Sequence, residues 1–109
     1  MTNQSVLEFT PETPIDMERS AAEAAAFLKS LAHEGRLMIL CHLGSGEKSV
    51  GELESIMNMR QAAVSQLLAR LREDGLVAAR REGKTVYYSI SDSNVLAVIG
   101  LLHSIYCPV

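Results

Sequence analysis

The stretch Ser49–Ile90 constrains this 109-residue chain more than any other. Ser49-Val-Gly-Glu52 has the spacing of a capping box, in which serine and glutamate satisfy each other's backbone N–H groups, and it opens a short helix with Leu53, Ile56 and Met57 inward. Asn58-Met59-Arg60 forms a turn. A second helix follows from Gln61 to Glu73, with Val64, Leu67, Leu68 and Leu71 on its inner stripe and Gln61, Ser65, Gln66, Ala69 and Arg72 outward. Asp74-Gly75 ends it. Leu76–Arg81 and the β-branched, aromatic run Thr85–Ile90 read as strands joined by a tight turn at Glu82-Gly83-Lys84.

Helix, turn, helix and ribbon in that order outline a winged helix-turn-helix, mainly α with a β-wing, in the order α-α-α-α-β-β-α. Such a module lays its second helix in the DNA major groove. Amides and hydroxyls on that helix can bond base edges and phosphates, and basic residues at the ribbon tip can meet phosphates or the adjacent minor groove. The candidate DNA-contacting residues are Arg60, Gln61, Ser65, Gln66, Arg80, Arg81 and Lys84. The net charge of −3 argues against nucleic acid only as a sum: residues 60–88 carry +3 and the remainder −6. A solvated charged face and an ordinary polar helix surface are the plainer readings of those residues, and the order of elements is what favours DNA.

Residues 1–12 are polar and aperiodic and are expected to form a flexible N-terminal segment, with residues 13–109 as one DNA-binding and dimerisation domain. Thr13-Pro14-Ile15-Asp16 has the pattern of a helix start, and Met17, Ala21, Ala24, Leu28 and Leu31 form one stripe. His33-Glu34-Gly35 interrupts the pattern. A second helix is expected over 36–43, with Leu37, Leu40 and Cys41 inward and Gly44-Ser45-Gly46 as its stop. After the ribbon, Ser91-Asp92 caps a last helix whose Val95, Leu96, Val98, Ile99, Leu101, Leu102 and Ile105 leave almost no polar face. Such a helix needs a second subunit as well as its own domain, which predicts a homodimer. Neither an export signal nor a membrane span is apparent, so a cytoplasmic protein is expected. The two cysteines, Cys41 and Cys107, are 66 positions apart and match no zinc spacing. A permanent disulfide is not expected in that compartment.

Three stretches resemble the arsenic-repressor (ArsR/SmtB-type) family of winged-helix repressors: Leu31-Ala-His-Glu-Gly-Arg-Leu-Met-Ile-Leu, Ala63-Val-Ser-Gln-Leu-Leu-Ala-Arg-Leu-Arg-Glu-Asp-Gly-Leu-Val and Arg80-Arg-Glu-Gly-Lys-Thr-Val-Tyr-Tyr-Ser. The resemblance covers roughly residues 16–107. It implies a dimer that binds an inverted repeat of double-stranded operator DNA and lets go when an inducer is sensed. The family's metal sensors carry Cys-Val-Cys where this chain has Ser49-Val50-Gly51. Of the residues that form their second metal site, Asp92 remains, but Asn94, Ile105 and Pro108 stand at the other positions. Both metal sites are therefore expected to be lost, and no cofactor is expected.

Cys41 in Leu40-Cys-His-Leu and Cys107 in Ile105-Tyr-Cys-Pro resemble the cysteine pair of the family's dithiol branch, which contains sulfide-responsive, persulfide-sensing repressors and the biofilm growth-associated repressor. That resemblance implies a persulfide or polysulfide inducer that links the two thiols, release of DNA, and transcription of sulfide-detoxification genes. One thiolate would take a sulfane sulfur and the other would attack the persulfide so formed. His42 or His103 could tune either thiol. The alternatives are a metal(loid)-responsive repressor using Cys41 and Cys107 as ligands, two inert cysteines in a constitutive DNA-binding protein, and a thiol enzyme. No CxxC, cofactor loop or acid–base constellation supports the last, so the chain is not expected to be an enzyme.

Overall fold

A computed structural model describes residues 14–107, with side chains from Asp16 onward. The expected flexible segment, the Thr13 cap and Pro108 lie outside the described residues. The elements are α1 (Pro14–Leu31), α2 (Glu34–Leu43), β1 (Lys48–Ser49), α3 (Val50–Met57), α4 (Gln61–Glu73), β2 (Val77–Glu82), β3 (Thr85–Ile90) and α5 (Ser93–Tyr106). The strands form one antiparallel sheet in the order β1-β3-β2. This is the winged-helix arrangement, with a two-residue edge strand that the sequence does not announce.

The core is aliphatic. Ile39, Leu40, Leu53, Val64, Leu68, Leu71 and Val95 are fully buried, so α2 through α5 share one interior. Among the inward residues expected on α4, Val64, Leu68 and Leu71 are buried and Leu67 packs partly against them. The α3 box forms as the spacing predicts: Glu52 N–H donates to Ser49 Oγ at 3.1 Å, and Ser49 N–H donates to Glu52 Oε1 at 2.9 Å. A cap of this kind contributes about 1 kcal/mol. Asn58 turns the chain between α3 and α4 in the left-handed region, at φ 53° and ψ 48°, which asparagine tolerates better than most residues. At the wing tip Glu82 faces Thr85, leaving a two-residue turn with Gly83 at φ 61°.

Three expectations change. His33-Glu34-Gly35 is no interruption: Glu34 and Gly35 lie inside α2, and His33 is its N-cap, its Nδ1 accepting from the N–H groups of Gly35 (3.0 Å) and Arg36 (3.3 Å). A Cβ on Gly35 would lie 2.9 Å from Leu67 Cδ1, the movable end of a side chain, which marks where α2 closes on α4. Cys41 is exposed, not inward. The buried face of α2 is Ile39, Leu40 and Leu43. Cys41 stands two positions from both Ile39 and Leu43, about 200° around the helix, which is the opposite side. Ile56 is also exposed, whereas Leu53 beside it is buried.

Of the stripe expected on α1 only Leu31 is buried; Met17, Ala21, Ala24 and Leu28 are exposed, and Phe27 beside the stripe packs partly against the core. Helix α5 inserts Val95 and Ile99 into the core, while Leu96, Leu101 and Ile105, spread around the rest of its surface, are about half exposed. None of the helices among the described residues is long and apolar enough to cross a membrane.

Candidate DNA interface and dithiol pair

Helix α4 carries the residues expected to face DNA. Arg60 at its N-cap, Gln61 and Gln66 are exposed, Ser65 is half-buried at the edge, and Ala62, which sequence reasoning passed over, is exposed between the two glutamines. Polar side chains and a small apolar one on one helical face can address base edges and a thymine methyl group. Among the described residues no ion pair holds Arg60, Arg72, Arg81 or Lys84, so their charges remain available for phosphates.

Arg80 differs from its neighbours on the wing. Its guanidinium donates from Nη2 to Glu47 Oε1 at 2.6 Å, from Nε to Glu47 Oε2 at 3.2 Å and from Nη1 to Glu82 Oε2 at 2.9 Å. It also lies 4.8 Å from the centroid of the Tyr87 ring. The hydrogen bond from Arg80 draws the Glu47 carboxyl below its ordinary range, and bonds to Glu47 and then Glu82 hold the guanidinium more firmly protonated. Glu47 was not legible as a partner, because it sits 33 positions away in a loop.

Cys41 lies on α2 and Cys107 caps the end of α5, two helices that pack on each other. Both thiols are free and exposed. Helix α5 stops one residue before Cys107, whose backbone has left the helical region (φ −124°, ψ 54°) although its N–H still bonds the His103 carbonyl at 2.8 Å. Although Cys41 is exposed at the surface, partial desolvation raises its thiol above the ordinary range, and the proximity of Cys107 adds to that rise. Among the described residues neither His42 nor His103 hydrogen-bonds a thiol, and no three His, Cys, Asp or Glu side chains gather as a metal-ligand group.

Cys41 connects to the reading face through α2, whose first turn closes on Leu67 of α4 at Gly35. Farther round, Arg36 Nε donates to the Ser30 carbonyl at 2.6 Å, tying α2 to the end of α1. Cys41 and the point where α2 closes on α4 therefore lie on the same helix.

Residues 33–79 match the family model described as bacterial regulatory protein, arsR family. The chain is 48% identical over 101 residues to the transcriptional activator HlyU of Vibrio cholerae, covering 93% of this chain and 94% of that protein. It is 43% identical over 110 residues to the biofilm growth-associated repressor of Agrobacterium fabrum, with 94% of each covered. Among solved structures, reduced HlyU from Vibrio cholerae superposes with a TM-score of 0.82 at 51% identity, covering 84% of this chain and 97% of that one. The transcriptional repressor BigR from Xylella fastidiosa superposes with a TM-score of 0.79 at 42% identity, covering 87% and 94%.

Proposed function

Since the chain belongs to the bacterial arsR family of DNA-binding transcriptional regulators, we propose that it is a homodimeric, cytoplasmic repressor that holds its operator while Cys41 and Cys107 are reduced and releases it when persulfide sulfur bridges them. The released genes would then serve sulfide detoxification. The observation that carries this reading is the pairing of two free, exposed thiols on packed helices, with the charge of one felt by the other. The similarity to the biofilm growth-associated repressor and to a protein solved explicitly in its reduced form points the same way. The exposed apolar faces of α1 and α5 support the dimer.

The chemistry balances without an outside oxidant. A cysteine thiolate attacks the terminal sulfur of a low-molecular-weight persulfide, forming a protein persulfide and expelling the donor's thiolate. A second such transfer extends the chain by one sulfur. The other cysteine's thiolate then attacks next to the terminal sulfur, and hydrosulfide leaves with the bonding pair. Sulfane sulfur is reduced and the two thiols are oxidised. A direct disulfide needs Cα atoms within about 7 Å, and added sulfur relaxes that requirement. The bridge would draw the end of α5 towards α2 and, through the Gly35–Leu67 contact, tilt α4. Paired half-sites about 34–36 Å apart are sensitive to such a change.

Intact mass spectrometry after treatment with glutathione persulfide tests the bridge. A product heavier by about 30 or 62 Da is expected, for one or two added sulfurs less two hydrogens. A product about 2 Da lighter, formed equally by peroxide, would contradict the sulfur-specific reading.

A further inference from the structure

We propose that Arg80 is a positioning residue: it braces the wing against the start of the helix-turn-helix instead of binding a DNA phosphate, and Arg81 and Lys84 supply the wing's phosphate contacts. Arg80 on β2 stands directly across from Tyr87 on β3, and Tyr87 stands across from Ser49 on β1. Its side chain passes by the Tyr87 ring and ends on Glu47, two residues before Ser49. One side chain thereby runs from β2 past β3 to the loop residue just before β1.

What it reaches is the root of α3. Ser49 is both the last residue of β1 and the N-cap of α3. Glu47 is thus the point at which the loop from α2 enters the helix-turn-helix, and the Arg80 fork fixes the wing's tilt relative to it. The β1–β3 pairs and the packing of Val77, Tyr88 and Ile90 hold the root of the ribbon, and the Arg80 fork adds a tie one step nearer the tip. An isolated exposed ion pair contributes little. A two-point fork on one carboxylate, a third bond to Glu82 and a cation lying against an aromatic ring constrain direction in a way a single ion pair does not. Both carboxylates would also have to be displaced, or crowded by phosphate, before Arg80 could bind DNA.

Salt dependence separates the two roles, because its slope counts the phosphates that a protein neutralises. The probe is a labelled duplex selected from random sequence by the wild-type protein, and each variant's fold is checked by circular dichroism. Arg80→Ala is expected to weaken binding several-fold with an unchanged slope, and Glu47→Gln to weaken it in the same direction. The double variant should be no weaker than Arg80→Ala alone. Arg80→Lys should resemble Arg80→Ala, because lysine keeps the charge but loses the fork. Lys84→Ala should reduce the slope by about one. In free protein, Arg80→Ala should speed amide exchange in Thr85–Ile90. The proposal is overturned if Arg80→Ala lowers the slope by about one, if Glu47→Gln tightens binding by unmasking a cation, or if neither variant changes affinity or exchange.

Discussion

Ser30 Oγ donates a 2.7 Å hydrogen bond to Asp74 Oδ2, joining the end of α1 to the end of α4 across 44 positions of sequence. Arg70 Nε donates to the same oxygen at 2.8 Å. Ser30 is buried, so the bond is shielded where it begins. The first helix, whose outer stripe is otherwise uncovered, is thus fastened to the C-terminus of the reading helix.

Removing that hydroxyl should cost about 1 kcal/mol at neutral pH. The Ser30 bond, then Arg70, holds the Asp74 carboxyl below its ordinary range, against burial that raises it. A carboxylate with a depressed folded pKa stabilises the fold above its unfolded value, about 3.9, and loses that contribution as pH falls through the lower folded value. Urea unfolding of wild type and Ser30→Ala should therefore differ at pH 7 and converge below about pH 4. A gap that widens in acid would contradict the assignment.

The wing turn makes a separate demand. Gly83 sits at φ 61° with nothing near its missing Cβ, so a substitution there is opposed by the backbone and not by packing. Gly83→Val should destabilise the chain by about 1–2 kcal/mol and loosen amide exchange at the β2–β3 tip. An unchanged melting temperature would mean that the turn adopts another form.

The dimer can be tested on α5 without touching the core. Leu101 is about half exposed, on the side of α5 away from Val95 and Ile99. Leu101→Glu should leave the protomer folded yet shift sedimentation from dimer to monomer, with operator affinity falling at least tenfold as two half-sites are no longer held together. A variant that stays dimeric with wild-type affinity would place the interface elsewhere.

Cys41 reactivity should carry the signature of its neighbour. Partial desolvation first, and the charge of Cys107 second, raise its pKa. Alkylation of Cys41 should therefore accelerate about tenfold per pH unit up to and beyond the ordinary thiol range. In Cys107→Ser the midpoint should move down but stay above that range, because the partial desolvation of Cys41 remains. A midpoint that does not move would mean that the two thiols are not coupled.

Much of this architecture was legible because it rests on local rules. Ser49 and Glu52 cap a helix three residues apart, Val64, Leu68 and Leu71 keep helical period, and the strand Thr85–Ile90 declares itself by β-branched and aromatic residues. What escaped depends on neighbours remote in sequence. Gly35 looks like a helix breaker until Leu67 is seen against it. The helices around α2 select Ile39, Leu40 and Leu43 as its buried face, which leaves Leu37 at the margin and Cys41 outside, and helical period alone does not choose between these faces. Arg80 reads as one more wing cation until Glu47 is folded beside it. The thiol pair was reached through resemblance, since no spacing rule joins residues on α2 and α5.

The central claim is that Cys41 and Cys107 act together as the switch, and operator binding by fluorescence anisotropy tests it most directly. Wild type, Cys41→Ser and Cys107→Ser are compared on the selected duplex, each reduced and after glutathione persulfide. The account predicts equal affinities for the three reduced proteins, a loss of at least tenfold for wild type after persulfide that dithiothreitol reverses, and no loss for either variant. Release of both single-cysteine variants by persulfide, or continued binding by the treated wild type, would contradict it.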